Sequence, residues 1–172
     1  MRVKRLGSWM TMILLLLALS GCTLQKSDTD EAEKAYQSAI ALLQSGRYDE
    51  AGAGFAALGH YYDASRYAMY CQALSSAEKG EYDTAVASLS ALSGFMDSDM
   101  MAVYYTGRAY EARENYEQAR EVYAAILQFG DVSTRVAEIP GKILERDYQY
   151  ACSLEAAGWD ARAMEAFQAL KG

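Results

Sequence analysis

The side chains best placed to do chemistry are three cysteines, at 22, 71 and 152, a single histidine, His60, and fourteen tyrosines against four phenylalanines. Hydrolysis of the Ser-His-Asp kind needs a histidine bridging a nucleophile and a carboxylate, and zinc needs several nitrogen or sulfur ligands at close spacing. His60 has no second histidine and no cysteine pair nearby, so neither set can be assembled around it. Cys71 and Cys152 stand in different positions of widely separated segments. A disulfide between them is not expected, and both read as free thiols. Gly52-Ala-Gly54-Phe-Ala-Ala57 has the outline of a dinucleotide-binding loop. That loop must follow a strand and open a helix, whereas these glycines fall inside a helical pattern. The chain therefore reads as a non-enzyme that needs no cofactor or metal, and Cys22 and the tyrosines are left to explain.

Cys22 ends a distinctive leader. Arg2, Lys4 and Arg5 make a basic start, the run from Met10 to Leu19 is apolar apart from Thr11, and Ser20 and Gly21 are small. Such an order is that of a secretory signal. Its apolar run is about half of the roughly 20 residues that a spanning helix needs. Leu19-Ser20-Gly21-Cys22 resembles the lipobox of bacterial lipoproteins. The resemblance implies that the Cys22 thiol receives a diacylglyceryl group, with acyl chains such as palmitate, and that residues 1–21 are removed as a signal peptide. Two acyl chains on one residue suffice for stable membrane anchoring. The polar stretch that follows, within 22–31, reads as a flexible tether. The expected location is the outer face of the cell membrane.

The chain of 172 residues carries a formal charge of −7. Without the leader, 13 basic residues face 23 acidic ones. An acidic body with no basic stripe argues against nucleic acid as a partner. The same charge is repelled by anionic headgroups, so membrane attachment has to come from the lipid.

The body, residues 32–172, is internally repetitive. Gly46-Arg-Tyr48-Asp-Glu-Ala51 returns as Gly80-Glu-Tyr82-Asp-Thr-Ala85, and the same shift of 34 leads to Tyr116 and Ala119. A fourth copy, Gly158-Trp-Asp-Ala-Arg-Ala163, comes ten residues late. Upstream, Tyr36, Tyr70, Tyr104 and Tyr148 align, followed three residues later by Ala39, Ala73, Gly107 and Ala151. Downstream stand Phe55, Leu89, Tyr123 and Phe167, then Leu58, Leu92, Ile126 and Leu170. Each copy predicts two helices separated by a glycine that ends the first. So short a turn folds the second back on the first. Asp63, Asp97 and Asp131 precede the next helices and are expected to cap them, with Ser65 and Ser98 close by. Acidic residues such as Asp49, Glu50, Glu111 and Glu114 read as solvated surface.

These units resemble tetratricopeptide repeats (TPR) in their period, small-residue columns, Gly-x-Tyr-x-x-Ala turn and Ala-x-x-x-Phe pair. The match runs over about Ala32 to Leu170. It departs from the family where tyrosine, one residue later, replaces the usual tryptophan, and where aspartate replaces the unit-ending proline. The resemblance implies an all-α fold of antiparallel helix pairs stacked as a short right-handed superhelix. Units fall at about 32–62, 63–97, 98–130 and 140–171, with an insertion at 131–139. Pro140 is expected to open a new helix, with a separate short turn or helix before it. First helices of the family line a peptide-binding groove, which puts Tyr36, Tyr70, Tyr104 and Tyr148 there, with Tyr105 and Arg108 beside them. The competing and favoured reading makes the tyrosine column core, in place of the missing tryptophan. The family's lysine and asparagine clamp for a terminal carboxylate has no counterpart in these columns. The implied function is a lipid-anchored, extracytoplasmic module that binds an envelope protein or peptide. Its rivals are a subunit of an outer-membrane-type assembly complex and, more remotely, a small-ligand sensor. The last helix lacks a polar cap, so this end is expected to dock on a partner or on another copy of the chain.

Overall fold

A 34-residue period in glycines and small residues should repeat in the backbone itself, and it does. A computed structural model describes residues 29–171; the leader, Cys22 and most of the tether lie outside them. The described residues are all-α. Helix α1 covers 29–44, α2 Tyr48–Ala57, α3 Ala64–Glu78, α4 Tyr82–Ala91, α5 Ser98–Ala112, α6 Tyr116–Tyr123, α7 Val132–Ala156 and α8 Asp160–Ala169. A short 3-10 turn, Ala124–Ile126, extends α6. The described residues divide into two compact units on either side of the Cys71–Gln72 bond, inside α3.

One turn occurs four times. Gly46, Gly80, Glu114 and Gly158 take φ values of 77°, 80°, 58° and 76°. The amide of the next residue reaches back to the carbonyl five residues earlier, in Arg47 to Leu42, Glu81 to Ser76, Asn115 to Tyr110 and Trp159 to Leu154. That bond closes the helix end and satisfies a carbonyl that would otherwise lack a donor. Five residues past each of these positions, Ala51, Ala85, Ala119 and Ala163 are buried.

A second turn occurs three times. Tyr62, Met96 and Gly130 all have positive φ, at 44°, 50° and 53°. The amides of Ala64, Ser98 and Val132 then bond the carbonyls of Tyr61, Phe95 and Phe129. Ala64, Ser98 and Val132 are fully buried. The capping expectation fails here: neither Asp97 nor Asp131 makes a side-chain cap bond. Ser65 and Ser98 donate to the carbonyls of Gly59 and Phe95 instead. Asp63 and Asp131 pair with Arg66 and Arg135.

The insertion also differs from its expectation. Helices α3 and α5 have 15 residues each and α7 has 25, so the ten extra residues lengthen one helix. No new helix starts at Pro140; it lies inside α7. A proline there removes the amide that would bond the Val136 carbonyl. The apolar residues that α7 sends into the core on both sides of it, Val132, Ile139, Ala151 and Leu154, are buried and hold the helix continuous.

Two cores follow from this layout. In the first unit, Ala39, Ala51, Phe55, Ala64 and Cys71 are buried together, with Tyr36 and Tyr67 packed against them. In the second unit α4 packs on α5, α5 on α6, α6 on α7 and α7 on α8. There Ala119, Tyr123, Ile126, Val132 and Ile139 form a shared core.

Candidate functional site

The residues expected to line a groove fall into different surroundings. Tyr36 on α1 is half-buried and is the hub of an aromatic cluster in the first unit, with ring centroids 5.5 Å from Phe55, 5.9 Å from Tyr61 and Tyr62, and 6.0 Å from Tyr67. The Tyr61 hydroxyl donates to Glu33 at 2.8 Å; that bond, more than burial, pushes the phenol up to about 12. Tyr70 is buried. Tyr148 on α7 is exposed, with its ring 5.8 Å from Phe167.

Tyr104, Tyr105 and Arg108 on α5 do come together, and Tyr82 at the start of α4 joins them. The rings of Tyr82 and Tyr105 stack with centroids 6.1 Å apart and planes 15° apart. The Arg108 guanidinium donates from Nη2 to the Tyr82 hydroxyl at 2.7 Å and from Nη1 to the Tyr104 hydroxyl at 3.4 Å. Its carbon lies 5.1 Å from the centre of the Tyr82 ring. Burial works against this charge, but the hydroxyls of Tyr104 and Tyr82 together outweigh it and hold the arginine above its ordinary value.

A long helix supplies the facing cations. Arg135, Lys142 and Arg146 stand seven and then four residues apart on α7, which puts them on one helix face. Arg135 lies 5.8 Å from the Tyr104 ring centre and bonds Asp131 at 2.9 Å and Glu111 at 3.5 Å. Its Nε is the buried side-chain nitrogen without a partner among the described residues. Lys142 reaches Glu111 at 2.8 Å. Arg146 bonds Glu117 at 3.1 Å and the Glu114 carbonyl at 3.0 Å, with Tyr116 beneath it.

Glu111 is where the surface reading of the acidic residues goes wrong. Its side chain is only 9% exposed and accepts from Tyr123 Oη at 2.7 Å as well as from the two cations. Burial alone would raise its carboxyl; hydrogen bonds from Lys142 and Tyr123 outweigh that and hold it below the usual carboxylate range. Part of this signal was in the sequence: the matching positions are the apolar Leu43 and Ala77 in the first two units, but the exposed Glu155 in the fourth. Where such a position is buried, its charge must find a partner.

Cys71 is buried and Cys152 half-buried, both as free thiols. His60 is exposed. Among the described residues no group of histidine, cysteine and carboxylate side chains is arranged to hold a metal ion, and no helix is long and apolar enough to cross a membrane. On α7, α8 and the turn between them, Leu144, Tyr150, Trp159 and Met164 are exposed.

The chain matches no known protein family, no curated protein and no solved structure. What it does must therefore be argued from its own residues.

Proposed function

We propose that this chain is a lipid-anchored, extracytoplasmic repeat protein of the tetratricopeptide type that binds other proteins or peptides at the cell envelope. The observation that carries this reading is the glycine-type turn closed in the same way at Gly46, Gly80, Glu114 and Gly158. Each turn joins a helix to a shorter one bearing a buried alanine at the same position, the local structure expected of repeated helix pairs. Stacking such pairs as a right-handed superhelix makes surfaces suited to extended partners. The anchor rests on the leader and on Cys22, whose sequence resembles a lipobox. In this reading the tether holds the array outside the cytoplasmic membrane, and binding, not catalysis, is its work.

Crosslinking and mass spectrometry on native membranes, comparing the wild type with Cys22→Ser, tests both halves. A partner captured by the anchored form and lost from the Cys22→Ser form is the expected result. Capture of nothing by either form, with a small molecule bound by the purified protein, would replace the adaptor with a ligand sensor.

A further inference from the structure

Arginine is abundant enough in the second unit to show what its guanidinium groups ordinarily do there. Three of its arginines are half-buried: Arg108, Arg135 and Arg146. Arg135 holds Asp131 and Glu111, and Arg146 holds Glu117 and Asp147. Arg108 touches no carboxylate among the described residues, although the chain as a whole carries seven more acidic than basic residues. Instead, two phenol oxygens orient it. A partly desolvated guanidinium is costly to leave without an anion, yet this one is braced in place.

The donors left over define a ligand. A guanidinium has five N–H groups in a planar fork. Arg108 uses one on Tyr82 and one on Tyr104, leaving three. Of these, the Nε–H is open to solvent, since Arg108 Nε makes no hydrogen bond and the buried side-chain nitrogen without a partner belongs to Arg135. Tyr82 receives the Arg108 bond through its oxygen and keeps its own proton to donate. Tyr104 takes the other Arg108 bond and lies against Arg135. Two N–H groups of one fork plus a phenol O–H suit a planar, two-oxygen anion. The stacked ring of Tyr105 beside them offers an aromatic surface to the chain that carries the anion.

We infer that Arg108, framed by Tyr82 and Tyr104, is a binding site for a carboxylate on a peptide segment of a protein partner. This rests on the reading of the chain as a protein-binding array. The carboxylate is either an Asp or Glu side chain or a chain terminus, and the test separates the two. The net negative charge of the protein repels acidic peptides at long range, so association at physiological salt requires a local site of this kind.

The test is fluorescence anisotropy with the full-length protein in nonionic detergent at 0.15 M salt. The probes are a labelled, C-terminally amidated peptide of alternating Glu and Tyr, its Gln and Tyr equivalent, and that Gln and Tyr peptide with a free C-terminus. The expected result is binding of a carboxylate-bearing probe over the amidated Gln peptide, with the stronger of the two naming the source. Arg108→Gln should weaken that binding about tenfold or more and Arg108→Lys by less, because lysine keeps the charge but loses the fork. Arg113→Gln removes the same charge from an exposed arginine at the end of α5 that pairs with Asp83 and should leave binding unchanged. Equal loss in Arg108→Gln and Arg113→Gln would show only diffuse charge attraction and overturn the site. Equal binding of all three peptides, or of none, would overturn it as well. If membrane crosslinking still captured a protein partner in that case, the adaptor reading would stand without the carboxylate site. Circular dichroism on each variant confirms that a loss of binding is not a loss of fold.

Discussion

The ring of Tyr123 lies where a side chain at Gly107 would have to be. A Cβ built on Gly107 would stand 2.2 Å from Cε1 and 2.5 Å from Cζ of that ring, far inside any tolerable contact. The matching positions are alanines, Ala39, Ala73 and Ala151, and their partners in the Tyr123 column are Phe55, Leu89 and Phe167. Here the ring reaches over the facing helix, and its hydroxyl continues to Glu111 at 2.7 Å. Glycine at 107 and tyrosine at 123 are thus one choice made at two positions.

Gly107→Ala should therefore destabilise the protein by about 1–3 kcal/mol through overpacking. Adding Tyr123→Leu, which restores the pairing of Ala73 with Leu89, should recover part of that loss. Urea unfolding of the two single variants and the double variant measures the coupling. Additive effects of the two substitutions would mean that the ring is not what the added methyl meets.

The Glu111 carboxylate makes stability depend on acid. Its carboxyl is held below the ordinary value, so its contribution is fully present above the unfolded value near pH 4.5 and fades as pH falls through the lower, folded one. Glu111→Gln should cost about 1–3 kcal/mol at pH 7, since it removes the shared negative charge and leaves one of the two cations facing an amide NH2. Unfolding measured from pH 7 down to pH 3 should show the gap between wild type and variant narrowing below about pH 4.5. A gap that stays constant over that range would mean that folding does not lower the Glu111 carboxyl.

The two thiols of the folded body should react unequally. Burial pushes the Cys71 thiol up to about 11, and its side chain is fully enclosed, so little thiolate is present or reachable at neutral pH. Cys152 is half-buried on α7. In a Cys22→Ser protein, a maleimide at pH 7.5 should label Cys152 first and Cys71 only on unfolding, as read by peptide mass spectrometry. Labelling at equal rates would place Cys71 in a far more open environment.

Much of the fold was legible because the chain repeats itself. Apolar stripes broken by Gly46, Gly80 and Gly158 give helix, turn and helix directly, and the alanine columns identify the contacts. Two things were hidden. Asp63, Asp97 and Asp131 carry the sequence mark of helix caps, but neither Asp97 nor Asp131 makes a cap bond, and Asp63 and Asp131 pair with Arg66 and Arg135 one turn on. The tyrosine–arginine cluster was legible only in part. Tyr104, Tyr105 and Arg108 are neighbours along α5, whereas Tyr82 belongs to the turn column and Arg135 to the insertion. Their meeting depends on packing between helices, which no local pattern encodes.

Glu114 occupies a glycine position. Its φ of 58° matches the left-handed backbone of Gly46, Gly80 and Gly158, a conformation that costs a side chain roughly 1–2 kcal/mol. Its backbone carbonyl receives Arg146, a bond that does not depend on the side chain. Glu114→Gly should thus stabilise the protein by about 1 kcal/mol and raise Tm by about 2–4 °C. A lower Tm would mean that the Glu114 side chain contributes more than its backbone strain costs.

Pro140 gives the sharpest test of α7. Within a helix, proline is about 3 kcal/mol less favourable than alanine, because it removes an amide and crowds the preceding turn. Replacing it also frees the unfolded chain, which offsets about 0.4–1 kcal/mol. Because Pro140 lies in the interior of α7 and is exposed, Pro140→Ala leaves no cavity and lets the new amide bond Val136. The expected gain is about 2 kcal/mol, seen as a higher urea midpoint with an unchanged slope. If two helices met at this point, the proline would be favourable as the first residue of the second one, and Pro140→Ala would leave stability unchanged or lower it. The sign of that single shift therefore decides between one helix carried through its proline by the buried Val132, Ile139, Ala151 and Leu154, and the break that the local sequence rule predicts.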